Sequence, residues 1–335
     1  MSISVSRARA ITARFSHQKV LVVGDLMLDH YIHGHVSRIS PEAPVPVLLV
    51  AREHSVPGGA CNVAANVRAL GGAAAVAGVM GRDAHGAALE RLLQSAGIET
   101  RAVLRLPGHP TTVKTRVIAE RQQVVRVDWE KPARLNDRQH RELARKIEHA
   151  FEGVTAVIFE DYGKGVLTQP VVDAVMAEAQ RRGVPVGLDP KENYQLRFDG
   201  LALAKPNRKE AFAHAGLPDP GPRNNPTEDV ALLEVANRLM EKWKPALLLI
   251  TLGAQGLLLA ERGKKPYHVP TRAREVFDLS GAGDTVIATC MLALAAGADA
   301  RAAAELANYA AGVVVGKLGT ATCSREELLE YLARG

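Results

Sequence analysis

Continuous apolar runs alternate with amphipathic segments along most of this chain. The runs are VLVVGD at 20–25, AVAGVMG at 75–81, AVIFED at 156–161, VPVGLDP at 184–190, LALAKPN at 201–207 and ALLLITLG at 246–253. Each is short, rich in Val, Ile, Leu and Ala, and bounded by turn residues, as a parallel strand buried on both faces would be. Between them, 137–150, 168–182 and 227–243 carry apolar residues at helical spacing. Alternation of this kind predicts an α/β layer fold with right-handed crossovers.

Two stretches break the pattern. Residues 31–51 and 111–129 alternate polar with β-branched residues at period two, with no helix inside them. They predict antiparallel strands with one wet face, set apart from the main sheet and placed to act as a lid. No repeat or low-complexity linker divides the chain, and the Pro/Gly/Asn-rich segment 217–226 is short enough for a surface loop. The expectation is one domain over 1–335, with lid strands within about 31–51 and 111–129.

Composition narrows the function classes. With 335 residues, 47% of them apolar, the chain can bury a full core and is not a disordered protein. The net charge of +6 is spread through interspersed acids and bases, which suits anionic small molecules. Aromatic residues make up only 4% and interleave with no basic stripe, so no nucleic-acid partner is expected. Three widely spaced cysteines without a CxxC pair fit reduced thiols. The N-terminal segment is charged where a signal peptide needs an apolar core, and no apolar run reaches the roughly 18 residues of a membrane span. A cytoplasmic protein without membrane contact is expected.

The densest candidate chemistry is 278-DLSGAGDT-285, followed at once by the apolar VIATCMLALAA. If a helix begins at about Asp284, the N–H groups of Ala282, Gly283 and Asp284 converge outside it, at the positive end of its dipole. Glycine lets an anion approach closely there. A carboxylate beside an anion hole repels the anion; it suits taking a proton from a hydroxyl that attacks the anion. Phosphoryl transfer from a nucleotide to an alcohol needs that pairing. The competing reading is a tight turn with Asp284 as helix N-cap.

Other segments point the same way. Gly24-Asp25 closes the first strand and Asp29 follows, where ligands bind in open α/β sheets; a turn with a cap competes. In 57-PGGACNVAANVRALG-71, Gly58 and Gly59 open a helix with Asn62 in its first turn, an amide able to donate to and accept from a polyol. Asn207 and Glu210 stand three apart at a helix start, able to hold the water shell of Mg²⁺ or to form a capping box. The 251-TLGAQG-256 turn reads as a nucleotide-carrying loop or a plain hairpin. Lys114 and Arg116, at period two on a lid strand, share a face and match a phosphate on the substrate, although solvated strand charges look the same. No GxxxxGK[ST] occurs, which excludes a P-loop enzyme, and no GxGxxG follows the first strand. His30, His33 and His35 are split by strand alternation and make a weak zinc reading.

Taken in order, Gly24-Asp25…Asp29, Gly58-Gly59…Asn62, Asn207-x-x-Glu210, Thr251-x-Gly253-x-x-Gly256 and Asp278-x-x-Gly281-Ala282-Gly283-Asp284 resemble the ribokinase-like (PfkB) carbohydrate kinases over essentially the whole chain. The segments 37–48, 114–128, 160–167 and 316–322 are most similar to the heptose 7-phosphate kinases within that family. The resemblance implies a three-layer α/β/α fold with a small inserted β-sheet lid. It implies Asp284 as general base, with the amides of Gly281, Ala282 and Gly283 stabilising the transferring phosphoryl group. Asp25, Asp29, Gly58, Gly59 and Asn62 would hold the sugar, and Lys114 and Arg116 its phosphate. Asn207 and Glu210 would serve Mg-ATP, Glu210 reaching Mg²⁺ through water, while Thr251, Gly253, Gly256 and Asn308 would line the nucleotide cleft. The family's monovalent cation, K⁺, would sit near Asp278.

Two departures stand out. Many relatives have Thr after the first acid of the motif, where this chain has Leu279. Some heptose kinases also carry a nucleotidyltransferase with an HxGH-type motif, and the sequence ends at Gly335 without one, so adenylyl transfer is expected from another polypeptide. The implied activity is ATP-dependent phosphorylation of O1 of D-glycero-β-D-manno-heptose 7-phosphate, for ADP-heptose and lipopolysaccharide core synthesis, by a homodimer joined through the lid strands. A kinase of the same family for a hexose phosphate, ribose or a nucleoside, and a non-catalytic sugar-phosphate sensor, are the alternatives.

Overall fold

The structure, a computed structural model, describes residues 3–120, 122–191 and 196–334; position 121 of the expected lid segment and residues 1, 2, 192–195 and 335 of the expected domain lie outside them. The strands are β1 Lys19–Gly24, β2 Leu26–Ile39, β3 Pro46–Gly59, β4 Ala73–Gly81, β5 Glu99–Leu106, β6 Thr112–Ala119, β7 Gln122–Trp129, β8 Ala156–Glu160, β9 Val186–Asp189, β10 Leu203–Ala204, β11 Leu247–Thr251, β12 Leu257–Glu261 and β13 Tyr267–Val269. The helices are α1 Val5–Thr12, α2 Ala60–Ala69, α3 Ala84–Ser95, α4 Asp137–Ala150, α5 Gln169–Arg182, α6 Arg208–Ala215, α7 Val230–Lys242, α8 Ala282–Ala295, α9 Ala300–Val314 and α10 Arg325–Ala333.

Nine strands form one sheet in the order β13-β12-β11-β10-β9-β8-β1-β4-β5. From β11 to β5 the pairs are parallel, and β12 and β13 add antiparallel edges. Alternation along β1 shows why the molecule has three layers. Val20 and Val22 join the core under α1, α2, α3, α8, α9 and α10, whereas Leu21 and Val23 join the core under α4, α5, α6 and α7. Strands apolar on both faces must be covered on both faces. The expected α/β/α layering is what the structure contains.

Parallel register then gathers the chemistry. Gly24 pairs with Glu160 and Glu160 with Asp189, so the carboxyl ends of β1, β8 and β9 stand level, and the Lys205 N–H bonds to Leu188 O at 2.8 Å just beyond β10. Four adjacent strands thereby deliver Asp25, Glu160, Asp189 and Lys205 to one edge of the sheet, where ligands bind in such folds.

The second sheet has the order β3-β2-β6-β7. Its strands overrun the expected bounds, since β2 starts at Leu26 and β3 runs on to Gly59. The β2–β6 pair is also parallel, against the antiparallel expectation, with Asp29 opposite Lys114 and Tyr31 opposite Arg116. The cause is connectivity: β2 follows β1 and β6 follows β5, and β1 and β5 run the same way, so both lid strands leave the same edge in the same direction.

Candidate active site

Helix α8 begins at Ala282, two residues ahead of the expected start, and its N-cap is Gly281 in the left-handed conformation at φ +78°. A side chain there would be strained, and its Cβ would stand 2.8 Å from Asn62 Nδ2. Asp284 therefore lies in the first turn, and it caps nothing. Asn62 Nδ2 donates to its Oδ2 at 2.6 Å and the Tyr162 hydroxyl donates to its Oδ1 at 2.8 Å, with the residue only 6% exposed. The N-cap reading of Asp284 is thus overturned. The Ala282 N–H already donates to Leu279 O at 3.3 Å, which leaves the anion hole to the amides deeper in the first turn.

Sequence reasoning did not assign the groups around this carboxylate. Oxygens of Glu160, Asp189 and Asp284 lie within 4.8 Å of one another, and Lys205 Nζ pairs with Asp189 Oδ2 at 2.6 Å. Glu160 is 1% exposed and Lys205 3%. Burial and then the neighbouring Asp189 and Asp284 push the Glu160 carboxyl well above the usual range, and among the described residues Glu160 Oε2 has no hydrogen-bond partner. Burial raises Asp189 to about 7, against the pull of Lys205. Burial likewise raises Asp284, opposed by the Asn62 and Tyr162 hydrogen bonds and by Lys205. The signal that would have found these residues is positional, an ionisable side chain at the end of each consecutive buried strand. Lys205 also stands beside the anion hole, since a Cβ on Gly283 would lie 3.0 Å from its Nζ.

A cavity of about 740 Å³ opens on this edge. Asn207, Glu210, Thr251, Gly253, Gly256 and Asn308 line it together with Gly281, Ala282, Gly283 and Asp284, so the residues expected to serve the nucleotide share one cavity with the expected catalytic loop. Asn207 and Glu210 also form the capping box of α6, with Glu210 Oε2 accepting the Asn207 N–H at 2.9 Å and Asn207 Oδ1 the Glu210 N–H at 2.9 Å. Gly253 and Gly256, at φ +58° and +88°, turn the β11–β12 hairpin, which makes the turn a hairpin and a cavity wall at once. Asn308 Nδ2 donates to Pro270 O at 2.7 Å.

None of the residues expected to hold the sugar lines that cavity, and Asn62 among them bonds to Asp284. Asp29 Oδ1 forms an ion pair with Arg116 at 2.9 Å, outside hydrogen-bond geometry, and Asp29 Oδ2 accepts from the Thr320 hydroxyl at 2.9 Å. Gly58 leaves room for that carboxylate, since a Cβ would meet Asp29 Cγ at 2.8 Å; one on Gly59 would meet Asp25 O at 2.6 Å. Lys114 Nζ sits 5.1 Å over the Tyr162 ring, and burial lowers its pKa. Among the described residues it takes no carboxylate partner, whereas Arg116, Arg126 and Lys164 pair with Asp29, Asp128 and Glu130. Asp25 is turned to the main chain, accepting the N–H groups of Tyr162, Lys164 and Val166 at 2.8, 3.0 and 3.2 Å. Asp278 accepts the Ser280 and Gly319 N–H groups at 2.8 and 3.0 Å, tying the motif to the loop after α9. The three lid histidines share no centre: His30 bonds to Ser55, His33 stacks on Tyr31 and His54, and His35 meets Glu120.

A buried carboxylate, a helix N-terminus and an ammonium around one cavity wall can deprotonate a hydroxyl and hold an anion that it attacks. The chain is 43% identical over 321 residues to "Bifunctional protein HldE" of Pseudomonas paraeruginosa and 44% identical to the protein of the same name from Azotobacter vinelandii. Each alignment covers 96% of this chain and 65% of the relative, so the chain spans under two thirds of their length. Among solved structures, Arabidopsis thaliana ribokinase complexed with ribose and ATP matches at TM-score 0.69 and 21% identity, over 94% of this chain and 98% of that one. Escherichia coli phosphofructokinase-2 in complex with potassium matches at 0.73 and 21%, over 95% and 98%; both establish the ribokinase-like fold alone. The profile of the pfkB family carbohydrate kinases matches residues 17–327, a span that contains the cavity, the acid cluster and the smaller sheet, and the chain belongs to that family.

Proposed function

We propose that this carbohydrate kinase moves the γ-phosphoryl group of ATP to the anomeric O1 of D-glycero-β-D-manno-heptose 7-phosphate. One observation carries the reading. Asp284 lies in the wall of the large cavity and is bonded to Asn62 and Tyr162, and Lys114 of the smaller sheet rests over the Tyr162 ring. A base between a nucleotide-sized cavity and a cationic lid suits an acceptor whose far end is anionic. The resemblance of 37–48, 114–128, 160–167 and 316–322 to heptose 7-phosphate kinases, and 43% identity to proteins named HldE, support the heptose.

In the transfer, Asp284 takes the O1 proton, O1 bonds to the γ-phosphorus, and the bond from that phosphorus to its bridging oxygen breaks with its electrons leaving on ADP. First-turn amides of α8 and the Lys205 ammonium meet the charge on the phosphoryl oxygens. The donor set at the cavity wall fits Mg²⁺: Glu210 is a carboxylate held in place by its box with Asn207, and Mg²⁺ favours one or two carboxylates with water and phosphates. When bound, Mg²⁺ neutralises phosphate charge. Each Asp278 oxygen keeps a lone pair beyond its main-chain bond, which fits a share in K⁺ coordination. Closure of the lid excludes water and suppresses futile ATP hydrolysis.

We further assign the chain to a homodimer joined through the lid, on the evidence of Val125, Val127 and Trp129, which are 47%, 40% and 51% exposed on the strand face opposite Arg126 and Asp128. Among the described residues no helix is long and apolar enough to cross a membrane, and Cys61, Cys290 and Cys323 are free thiols, which supports a cytoplasmic address. The test is ADP release against a panel of phosphorylated and unphosphorylated sugars. Heptose 7-phosphate should give the highest kcat/KM and its dephosphorylated form far less. A preference for another sugar would replace the substrate, and ADP release with none would favour a sensor.

A further inference from the structure

We propose that Tyr162 is the positioning residue of the transfer step: its hydroxyl holds the Asp284 carboxylate in the orientation that receives the acceptor's proton, and Asp25 acts through Tyr162 and not on the sugar. The proposal rests on the reading of Asp284 as the base.

A carboxylate joined to its chain by rotatable bonds is a poor base unless both oxygens are held. Here Asn62 holds Oδ2 and the Tyr162 hydroxyl holds Oδ1, from α2 and from the loop after β8, so the carboxylate plane is fixed from two sides. The phenol has one proton, and Asp284 when ionised is only an acceptor, so the direction of donation is settled. Each oxygen keeps a lone pair for the incoming hydroxyl.

The loop carrying Tyr162 contains Gly163 and Gly165, both at positive φ, and would be loose without an anchor. Asp25 supplies it. Both Asp25 oxygens are occupied by N–H groups of this loop, that of Tyr162 among them, at 2.8–3.2 Å. Asp161 Oδ1 adds the Gly163 N–H at 2.8 Å, and Lys164 O accepts the Ala133 N–H at 2.6 Å. The buried acid after the first strand thus spends its acceptors on main chain. Lys114 of the lid rests on the other part of the Tyr162 side chain, its ring, so hydroxyl and ring have separable duties.

The test separates those duties. Tyr162→Phe keeps the ring under Lys114 and removes only the donor; Tyr162→Leu removes both. The groups facing Asp284 are Asn62, Tyr162, Lys205, Glu160, Asp189 and Asp29, and Tyr162→Phe deletes one hydrogen bond to the charged form while leaving the others. The acid limb of kcat/KM should then rise by about one pH unit, kcat should fall about 10- to 100-fold, and KM for ATP should stay within about twofold. Tyr162→Leu should in addition raise KM for the sugar phosphate. Asp25→Asn should reproduce the Tyr162→Phe profile in weaker form. An unmoved acid limb in Tyr162→Phe, whether kcat falls or not, overturns the proposal and leaves Tyr162 a spacer. Thermal midpoints of the variants identify any that fail to fold. A direct reading needs no sugar: carbon NMR titration of the Asp284 carboxyl in substrate-free protein should show a higher pKa in Tyr162→Phe, and an equal pKa refutes the assignment. Should the wild type prefer another sugar in the panel, the substrate reading falls and the Tyr162 experiment runs unchanged on that sugar.

Discussion

The strands at the centre of the larger sheet are covered on both faces, whereas β7 of the smaller sheet is exposed at every position. In the central strands of the larger sheet burial dominates, and the ionisable residues Asp25, Glu160, Asp189 and Lys205 stand where those strands end. In the smaller sheet charge and apolar surface stand side by side along the strands, as Lys114, Arg116 and Arg126 on one face and Val125, Val127 and Trp129 on the other. The first arrangement is complete in itself. The second leaves surface to be covered: on our reading by substrate on one face and by a second copy on the other. On the proposed function, chemistry belongs to the larger sheet, while substrate choice and assembly belong to the smaller one.

Four experiments would break or sharpen this division. The largest effect belongs to the rigid sheet: Asp284→Asn should lower kcat by about 10³-fold with little change in the KM for ATP. Equal ADP release by wild type and variant would remove Asp284 from its role. On the lid, Lys114→Met should raise KM for the phosphorylated sugar by roughly 30-fold and leave the unphosphorylated sugar unaffected. A similar loss with both sugars would mean that Lys114 supports the loop and does not read a phosphate. Smaller again, Val125→Glu with Trp129→Glu should shift sedimentation from dimer to monomer at micromolar concentration; a monomeric wild type would refute the lid dimer.

The least effect concerns stability and pH. Burial raises Asp161 to about 7, opposed by the Gly163 N–H. A carboxyl whose folded pKa exceeds its unfolded value favours folding when protonated. Its contribution is complete below about pH 4 and is lost as pH rises through about 7. Asp161→Asn keeps an acceptor for Gly163 and removes the titration, so the fall in melting temperature between those pH values should shrink by roughly 2–4 °C. An identical pH profile in the variant would show that Asp161 does not titrate there.

The strand runs in the sequence matched β1, β4, β8, β9, β10 and β11, and the segments 137–150 and 168–182 are α4 and α5 within a residue. Double-sided burial leaves continuous Val, Ile, Leu and Ala, a signal that does not depend on neighbours. The sequence pattern does not single out the edge strand β5, whose ETRAVLRL breaks its apolar run with charges, the three-residue edge strand β13, or β12, a five-residue run between β11 and β13 beyond the hairpin glycines. Edge strands satisfy fewer neighbours and carry weaker patterns. At the site, Asp284 and the glycines before it stood out because an acid in a Gly-Ala-Gly turn ahead of an apolar helix is locally odd. Tyr162, Glu160, Asp189 and Lys205 did not stand out, because each is ordinary in its own segment.

By itself the order of apolar and polar residues determined that this protein layers helices on both faces of a sheet, carries a second, strand-rich region and opens an apolar helix with an acid behind a Gly-Ala-Gly turn. Those are local properties, set by side-chain periodicity and turn chemistry. Only tertiary structure decided that β2 and β6 run parallel, that Asp25 serves the main chain of another loop, and that carboxylates from two strand ends and one helix meet beside a single ammonium. Such meetings depend on register between strands far apart in the chain, where a shift of one residue would turn each of those side chains to the opposite face.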